Sequence, residues 1–375
     1  MHPDPTVRKV LIYRTGSLGD TIVALPSLHL IARVFPLAER VLLTDLPVHA
    51  KASTAMAVLG DSGLVHRDMR YSGATRKIGE MMRMLWEIRR FRPDVLVHLM
   101  PRHHLSDVRR DRLFFQLAGL RRIVGLPSAE ILKHCFDPAT GLYESEAWLL
   151  ARSIAELGDA DPEDIGNWDL HLTAAECEAG AKALGQLKDR PLILCGPGTK
   201  MQAKDWGQDN WRELLGRLYR KYPSYGLAMI GVKEEAEICE NVAVEWTGAK
   251  VNLSGRLSPR ESAAILRKAR VFIGPDSGPM HLAASVGTRC VIAFSARALP
   301  GIWYPFGREH QVIFHQTECY GCYLQTCTVE AKKCMRSITT DEMEQAVDAV
   351  LRQPIQSPSN VAQQQSLQPK SLSAN

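Results

Sequence analysis

The feature that most constrains the fold of this chain is a regular alternation of short apolar segments with longer amphipathic ones. In the first half, the short apolar segments predict strands at residues 9–13, 40–44, 94–99 and 122–125. Apolar residues at helical spacing predict helices over 76–91 and 144–157. This alternation predicts parallel α/β sheets whose faces are covered by helices.

The same alternation restarts in the second half, after an acidic segment at residues 158–169 that is rich in Gly, Pro and Asp and predicts a linker. Because 375 residues exceed one typical core, we expect two domains, over 1–165 and 170–353, and a disordered Gln-, Ser- and Pro-rich tail over 354–375. The second domain is predicted to contain strands at 191–195, 226–230, 250–253, 271–273 and 289–294, and helices at 173–187, 208–221, 233–244, 259–268, 279–286 and 340–351.

Three turns that directly follow predicted strands carry residues suited to binding an anion. The last of them reads G-P-D-S-G-P-M-H-L over residues 274–282. Asp276 and Ser277 can cap the helix that begins there, so that its free backbone N–H groups face the turn. Such a helix end attracts phosphate. A capped turn is common by itself, and the other two turns strengthen the interpretation.

The first turn contains Gly16, Gly19 and Asp20, between a strand and a helical pattern that opens at Thr21. The glycines allow a tight turn and leave room for a ligand. The spacing is neither the dinucleotide fingerprint nor a phosphate loop with its lysine. Asp20 stands where an N-cap is predicted, and capping alone would explain an aspartate there.

The middle turn follows the apolar residues 192–194 and contains Thr199, Lys200 and Lys204. Hydroxyl and ammonium groups just beyond a strand suit a phosphate better than they suit a core, although a single loop lysine can simply be solvated. Ligands of parallel sheets bind outside the carboxyl ends of the strands. The three turns together therefore predict one binding cleft.

Charge is distributed unevenly along the chain. The net charge is +5, but residues 67–122 contain 14 Lys and Arg against 6 Asp and Glu. A basic face favours anionic partners such as a phosphorylated glycolipid or a membrane surface. No nucleic-acid motif with interleaved aromatic residues occurs, so nucleic acid is not expected as a partner. With no signal-peptide pattern and no apolar run of about 18 residues, we expect a cytoplasmic protein, placed at the inner face of the membrane.

Four of the nine cysteines cluster near the C-terminus, at Cys319, Cys322, Cys327 and Cys334. Four thiolates this close in sequence can bind Zn²⁺ or an iron–sulfur cluster, but the spacing matches neither standard pattern. We expect a structural knot, with a structural metal site as one alternative and no metal in the chemistry. The other cysteines are expected to be small buried apolar residues.

The order of these motifs resembles glycosyltransferase family 9, the lipopolysaccharide heptosyltransferase family. The matching segments are R-T-G-S-L-G-D-T-I-V-A-L-P at 14–26, G-P-G-T-K…K-D-W at 196–206, P-D-S-G-P-M-H-L-A-A at 275–284, W-Y-P-F-G at 303–307 and the cysteines at 319–334. The resemblance runs from about Lys9 to Leu351. It implies two Rossmann-like lobes with a cleft between them (the GT-B fold) and inverting transfer from a nucleotide-activated sugar.

The resemblance also implies roles for single residues. Asp20 corresponds to the general base, on a loop with Gly16 and Gly19 beside the acceptor. The residues that correspond to the nucleotide-sugar site are Thr199, Lys200, Lys204, Glu234, Asp276, Ser277, Gly278 and His281. Glu235 is nearly as good a candidate as Glu234 for holding the ribose. An ionised aspartate can take the acceptor's proton, and Lys204 and the helix N-terminus can stabilise the leaving diphosphate without a divalent metal.

The resemblance implies ADP-heptose as the donor, no further cofactor, and an anionic glycolipid as the acceptor, with peripheral membrane contact. The chain departs from the family pattern at Gly274, Pro275 and residues 295–300. Because Arg297 is expected near the sugar and could bind an anionic or differently hydroxylated one, a donor other than ADP-heptose and an acceptor other than lipid A core stay open. Three alternatives remain: a non-catalytic nucleotide-binding protein on the same fold, a metal or iron–sulfur protein built on the cysteine cluster, and, by analogy of fold alone, a sugar-nucleotide epimerase.

Overall fold

A computed structural model describes residues 3–46, 53–72, 78–101, 104–129 and 131–354. The predicted tail from residue 355 onward lies outside the described residues, as do Arg76, Lys77 and Arg102 of the basic stretch. Among the described residues, no helix combines the length and the apolar character needed to cross a membrane.

The N-terminal lobe is built on a five-stranded parallel sheet with the order β3-β2-β1-β4-β5. Helices connect successive strands and cover both faces. The elements are β1 (Lys9–Tyr13), α1 (Leu18–Ile22), α2 (Leu25–Val34), β2 (Glu39–Asp45), α3 (Ala55–Leu59), β3 (Arg67–Tyr71), α4 (Ile78–Phe91), β4 (Val95–His98), α5 (Leu105–Leu117), β5 (Ile123–Val124), the antiparallel pair β6 (Phe136–Asp137) and β7 (Leu142–Tyr143), and α6 (Glu146–Ser153).

The C-terminal lobe repeats the plan with a six-stranded parallel sheet in the order β10-β9-β8-β11-β12-β13. Its elements are α7 (Ala174–Leu184), β8 (Leu192–Cys195), α8 (Gln208–Lys221), β9 (Gly226–Met229), α9 (Ala236–Val242), β10 (Lys250–Asn252), α10 (Pro259–Leu266), β11 (Val271–Pro275), α11 (Gly278–Ser285), β12 (Cys290–Phe294), β13 (Gln311–Phe314), α12 (Lys333–Arg336) and α13 (Thr340–Arg352). The predicted α/β class with two Rossmann-like lobes is confirmed. The predicted domain boundaries stay predictions.

The central strands are apolar on both sides, because helices cover both faces of each sheet. Residues of β1, β8 and β11 such as Leu11, Ile12, Ile193 and Phe272 are fully buried. One apolar cluster continues from the N-terminal lobe through Trp168 and Leu170 into the C-terminal lobe. The two sheets therefore share a continuous core beside the connection between the lobes.

Arg260 fixes one end of the contact between the lobes. It lies on α10 and is 3% exposed. Its guanidinium donates to the carbonyl groups of Leu59 on α3 and Leu170 in the connecting segment, both at 2.9 Å, and forms an ion pair with Glu176. A buried guanidinium needs such partners because it carries five donors. The residue thereby holds both lobes and the connecting segment together.

The structure departs from the sequence prediction at the sheet edges and at one helix start. Strands β3 and β13 were not predicted; each is an edge strand, and neither shows the buried apolar run of a central strand. The prediction that Asp20 caps the first helix was wrong. Ser17 is the N-cap of α1, and Asp20 lies three residues further, so that its carboxylate can reach back to the cap.

Candidate active site

The candidate site lies where α1 of the N-terminal lobe and α11 of the C-terminal lobe begin opposite each other. A Cβ atom at Gly19 would lie 3.1 Å from Cδ2 of His281, and one at Gly278 would lie 3.0 Å from the side chain of Leu18. Both distances are shorter than an ordinary van der Waals contact, so the two helices approach closely at positions where glycine leaves the needed space. This contact brings the first and the last predicted turns into one cleft.

Asp20 faces this cleft from the N-terminal lobe. Its carboxylate accepts hydrogen bonds from the backbone N–H of Ser17 at 2.8 Å and from the Ser17 hydroxyl at 3.2 Å. About a third of the side chain (34%) is exposed. Gly16 has a φ of +124°, and a side chain there would collide with Asp20. The loop therefore holds a carboxylate in place and leaves it accessible.

Arg14 supports Asp20 from behind and was not predicted as a site residue. Its guanidinium donates to the backbone carbonyl of Asp20 at 3.0 Å and lies 3.9 Å from the carboxylate. It also pairs with Glu146 at 3.3 Å, and Glu146 is 2% exposed and 3.6 Å from His134. The backbone N–H of Glu146 donates to the carbonyl of Ile302 in the C-terminal lobe. The support of Asp20 thus reaches the opposite wall of the cleft.

Asp276 and Lys204 form a buried pair on the C-terminal side. Lys204 Nζ donates to the Asp276 carbonyl at 2.8 Å and lies 3.3 Å from Oδ2, which also accepts from the Ser295 hydroxyl at 2.9 Å. Burial raises the pKa of Asp276, and Lys204 and Ser295 oppose that change. Asp276 Oδ1 and Ser277 Oγ are buried, and among the described residues neither has a hydrogen-bond partner. Ser277 is the N-cap of α11 but makes no side-chain capping bond.

Lys200 and Thr199 line the cleft beside this pair. Partial burial lowers the pKa of Lys200, while the negative charges of Asp20 and Glu235 act in the opposite direction. The Thr199 hydroxyl accepts from the backbone N–H of Met201 at 3.3 Å. The middle turn therefore supplies two ammonium groups to the cleft, one of them fixed by Asp276.

The structure separates the two glutamates proposed for the ribose. Glu235 turns inward: its carboxylate accepts from the backbone N–H of Val232 at 3.0 Å and lies against the backbone of Gly198. Glu234 is exposed, although both residues line the same cavity. The geometry therefore places Glu235 closer to the middle turn.

His281 lies in the first turns of α11 and is 5% exposed. Burial is the main cause that lowers its pKa to about 4, and the nearby charge of Lys204 acts in the same direction. The imidazole is therefore neutral at physiological pH. The Trp303 ring approaches it edge-on, with 6.1 Å between ring centroids. A neutral imidazole can donate one hydrogen bond and accept another.

Two adjoining cavities meet at this site. The larger, of about 860 Å³, is lined by Asp20, His281, Glu146, Arg297 and Trp303 among others. The smaller, of about 530 Å³, is lined by Thr199, Lys200, Glu234, Glu235 and the start of α10. Both are bounded by Ser17, Met201, Lys204, Asp276, Ser277 and Gly278. The buried pair and the N-terminus of α11 thus stand at the junction of the two cavities.

The cysteine-rich loop packs behind the site. Cys319, Cys322, Cys327 and Cys334 line a small void of about 10 Å³. Across the described residues, no group of three or more His, Cys, Asp or Glu side chains is placed to hold a metal ion. Hydrogen bonds join the loop to the site: the Ala203 N–H donates to the Gln325 carbonyl, and the Arg297 guanidinium donates to the carbonyls of Tyr323 and Leu324. A structural metal site on these cysteines stays a prediction.

Arg14 and Glu146 were missed because their partnership joins positions 132 residues apart. Arg14 had a usable signal, since it is a charged residue directly after a buried strand and within the segment that carries Asp20. Glu146 had none, because an acidic residue in the first turn of a helix is ordinary.

Comparisons with known proteins agree with this architecture. The model of glycosyltransferase family 9 (heptosyltransferase) matches residues 149–333. Lipopolysaccharide heptosyltransferase 1 of Pseudomonas aeruginosa is 24% identical over 354 residues, which cover 90% of this chain and 92% of that protein.

Two solved structures share the fold. The glycosyl transferase family 9 protein of Veillonella parvula has a TM-score of 0.70 at 16% identity, covering 92% of this chain and 97% of that one. E. coli heptosyltransferase WaaC, solved with ADP-2-deoxy-2-fluoro heptose, has a TM-score of 0.58 at 15% identity, covering 91% and 99%. The family match contains the residues from Thr199 to His281, and the shared fold extends over both lobes. Residues 149–333 therefore form a glycosyltransferase family 9 domain, and the protein is a glycosyltransferase.

Proposed function

We propose that this protein transfers a heptose, with inversion, from ADP-heptose to an anionic glycolipid acceptor of the lipopolysaccharide-core type. The observation that carries the proposal is the opposition of two kinds of group across one cleft. An accessible carboxylate, Asp20, stands on one side, and a fixed ammonium, Lys204, stands with a helix N-terminus on the other. The family match and the similarity to heptosyltransferases support the sugar and its nucleotide.

The proposed reaction is a single displacement at the anomeric carbon. An acceptor hydroxyl oxygen attacks that carbon while the bond from the carbon to the diphosphate oxygen breaks. The hydroxyl proton passes to Asp20, and the bonding electron pair leaves with ADP. General base catalysis of this kind needs a carboxylate within hydrogen-bond reach of the hydroxyl, which the larger cavity provides by exposing Asp20.

The leaving diphosphate gains negative charge as the bond breaks. We place it at the junction of the two cavities, where Lys204, Lys200 and the N-terminus of α11 converge. The unpartnered Ser277 hydroxyl at this junction is a further donor for a phosphate oxygen. Fixed donors aimed at developing charge lower the barrier without reorganising during the reaction.

We assign the rest of the donor from the residues that line the two cavities. We place the nucleoside in the smaller cavity, with Glu235 (or Glu234) accepting from the ribose hydroxyls and Thr199 nearby. The sugar and acceptor fit the larger cavity, where neutral His281 can donate to a sugar or phosphate oxygen. The loop containing Gly16 and Gly19 borders the acceptor, and the protein acts at the cytoplasmic face of the membrane.

The direct test is transfer by the purified protein to a heptose-deficient lipooligosaccharide, followed by mass spectrometry. ADP-heptose should add one heptose mass, whereas ADP-glucose, UDP-glucose and GDP-mannose should give little or no product. Product from a different donor would reassign the sugar or base. Nucleotide binding, seen as a thermal shift, without transfer from any donor would favour the non-catalytic alternative.

A further inference from the structure

Helix α4 exposes a second apolar stripe in addition to the one that it buries. Leu85, Ile88 and Phe91 face the sheet. Ile78, Met82 and Trp86, spaced four residues apart, are 74%, 56% and 57% exposed. Residues at this spacing lie along one side of a helix. Helix α4 therefore presents large apolar side chains to solvent over two turns.

Helix α5 lies beside α4 on the same face of the sheet and shows the same pattern. Phe115 of α5 and Ala118, which directly follows that helix, join Leu85 and Ile88 of α4 in one buried cluster. The outward side of α5 carries Leu105, Leu113 and Leu117, which are 42%, 59% and 53% exposed. Arg89 of α4 donates to the Leu117 carbonyl at 2.6 Å, which joins the two helices at their C-terminal ends. We call the outward sides of α4 and α5 together the α4–α5 face.

Arginines accompany these apolar side chains. Arg90 continues the α4 stripe and stacks over the Trp86 ring at 5.2 Å. Arg109 lies between Leu105 and Leu113 on the outward side of α5, and Arg112 is exposed next to it. The two helices carry six arginines and four acidic residues. Of the acidic residues, Asp111 is buried against His98, Glu87 and Asp107 pair with Arg83 and Arg110, and Glu80 is half-buried. The α4–α5 face is therefore apolar and positively charged, which is complementary to an anionic bilayer surface.

The α4–α5 face begins at the edge of the sheet where the cleft lies. Strands β1, β3 and β4 are part of one parallel sheet, so their carboxyl ends lie at one edge. Asp20 follows β1 at that edge, while α4 and α5 begin after β3 and β4 at the same edge. Pro101, between β4 and α5, lines the larger cavity. The apolar residues at the starts of both helices thus lie at the same edge of the sheet as the cavity.

We propose that the α4–α5 face binds the surface of an anionic lipid bilayer, with its apolar side chains inserted among the headgroups and its arginines on the phosphates. The link to catalysis rests on the proposed function, because a lipid-linked acceptor would then enter the larger cavity from the membrane plane. Binding to the bilayer itself requires no donor or acceptor and can be tested separately.

The experiment is co-sedimentation of the full chain with vesicles of phosphatidylcholine alone or of phosphatidylcholine mixed with phosphatidylglycerol. We expect binding to the mixed vesicles only, weakened at molar salt, where charges are screened within about 3 Å. The triple variant Met82→Ser, Trp86→Ser, Leu113→Ser should lose affinity for the mixed vesicles by a factor of about 10 or more. The matched control is Val244→Ser with Val329→Ser, two exposed apolar positions in the C-terminal lobe, which should bind like the wild type.

Equal binding by the triple variant and the wild type, or no binding to either vesicle, would overturn the proposal. A dimeric wild type and a monomeric triple variant in light scattering would also overturn it, because the α4–α5 face would then bind a second copy of the chain. Assays of sugar transfer distinguish membrane binding from the proposed function. The triple variant should transfer to a delipidated acceptor at the wild-type rate but more slowly to an acceptor embedded in vesicles. No transfer by the wild type to either acceptor would contradict the proposed function and leave the vesicle result intact.

Discussion

Asp20 and Asp276 occupy similar places in the two lobes, yet their surroundings give them different chemistry. Each follows a central strand and stands at the start of a helix that faces the cleft. Asp20 is 34% exposed and is held by the Ser17 N–H and hydroxyl. Asp276 is 3% exposed and held by Lys204 and Ser295. The same kind of strand-to-helix turn thus holds an accessible carboxylate in the N-terminal lobe and a buried carboxylate, which fixes a lysine, in the C-terminal lobe.

The comparison teaches that position relative to the helix decides the role. Asp20 lies inside α1, where its carboxylate reaches back over the cap and remains open to the larger cavity. Asp276 lies before the cap of α11 and turns inward, so that it orients a lysine and leaves the helix N–H groups free for a ligand. The first arrangement suits proton transfer, and the second suits fixing a cation.

The largest expected effect is on transfer by Asp20→Asn. The amide keeps the shape of the side chain but cannot take the acceptor's proton, so we expect the rate of transfer to fall by about 10²–10⁴-fold. Nucleotide affinity, measured by calorimetry, should stay unchanged. Asp45, which accepts from the Gly16 N–H but lines neither cavity, is the control, and Asp45→Asn should change the rate only slightly. Near-normal transfer by Asp20→Asn would remove the distinction between the two aspartates.

The next effect concerns the buried pair. Lys204→Met leaves the Asp276 carboxylate without its cation, so the free energy of unfolding should fall by about 3 kcal/mol and ADP should bind more weakly. The double variant Lys204→Met, Asp276→Asn removes the buried charge as well. It should regain most of the stability in denaturant titrations but not the affinity for ADP. If affinity returned together with stability, Lys204 would act only through folding.

A third prediction uses the lowered pKa of His281. Because its folded-state pKa of about 4 lies below the ordinary 6.5, the unfolded chain binds the proton first. The free energy of unfolding should therefore fall as pH drops from about 6.5 toward 4, by about 2–3 kcal/mol from this residue. His281→Gln should lose that part of the pH dependence. His104, an exposed residue in the other lobe, is the control. An equal loss of pH dependence in His104→Gln would contradict the assignment of this effect to His281.

The smallest expected effect separates the two glutamates. Glu235→Gln removes the inward carboxylate beside Gly198 and should weaken ADP binding by about 10-fold, the effect of one charge-assisted hydrogen bond. Glu234→Gln changes an exposed group and should alter the affinity less than Glu235→Gln does. Calorimetric titration of both variants with ADP and with 2′-deoxy-ADP decides which carboxylate contacts the ribose. Equal losses would assign the ribose to both.

The central strands could be predicted from the sequence because a strand that is buried on both faces consists of consecutive apolar residues, as in Leu192 to Cys195. It failed at β3 and β13, because an edge strand has one neighbour and less burial, and Arg67 to Tyr71 reads as a charged loop. At the site, motifs after strands pointed to Asp20, Lys204 and Asp276, which the structure brings together in one cleft. Glu146 could not be found, since only tertiary packing brings it to Arg14.

The close contact between the starts of α1 and α11 has a consequence for engineering chimeras. A side chain at position 19 would press against His281, and one at position 278 would press against Leu18. Exchanging a whole lobe with a relative would join two surfaces that were selected separately. Recombination within this family should therefore yield folded hybrids chiefly when these four positions come from the same parent.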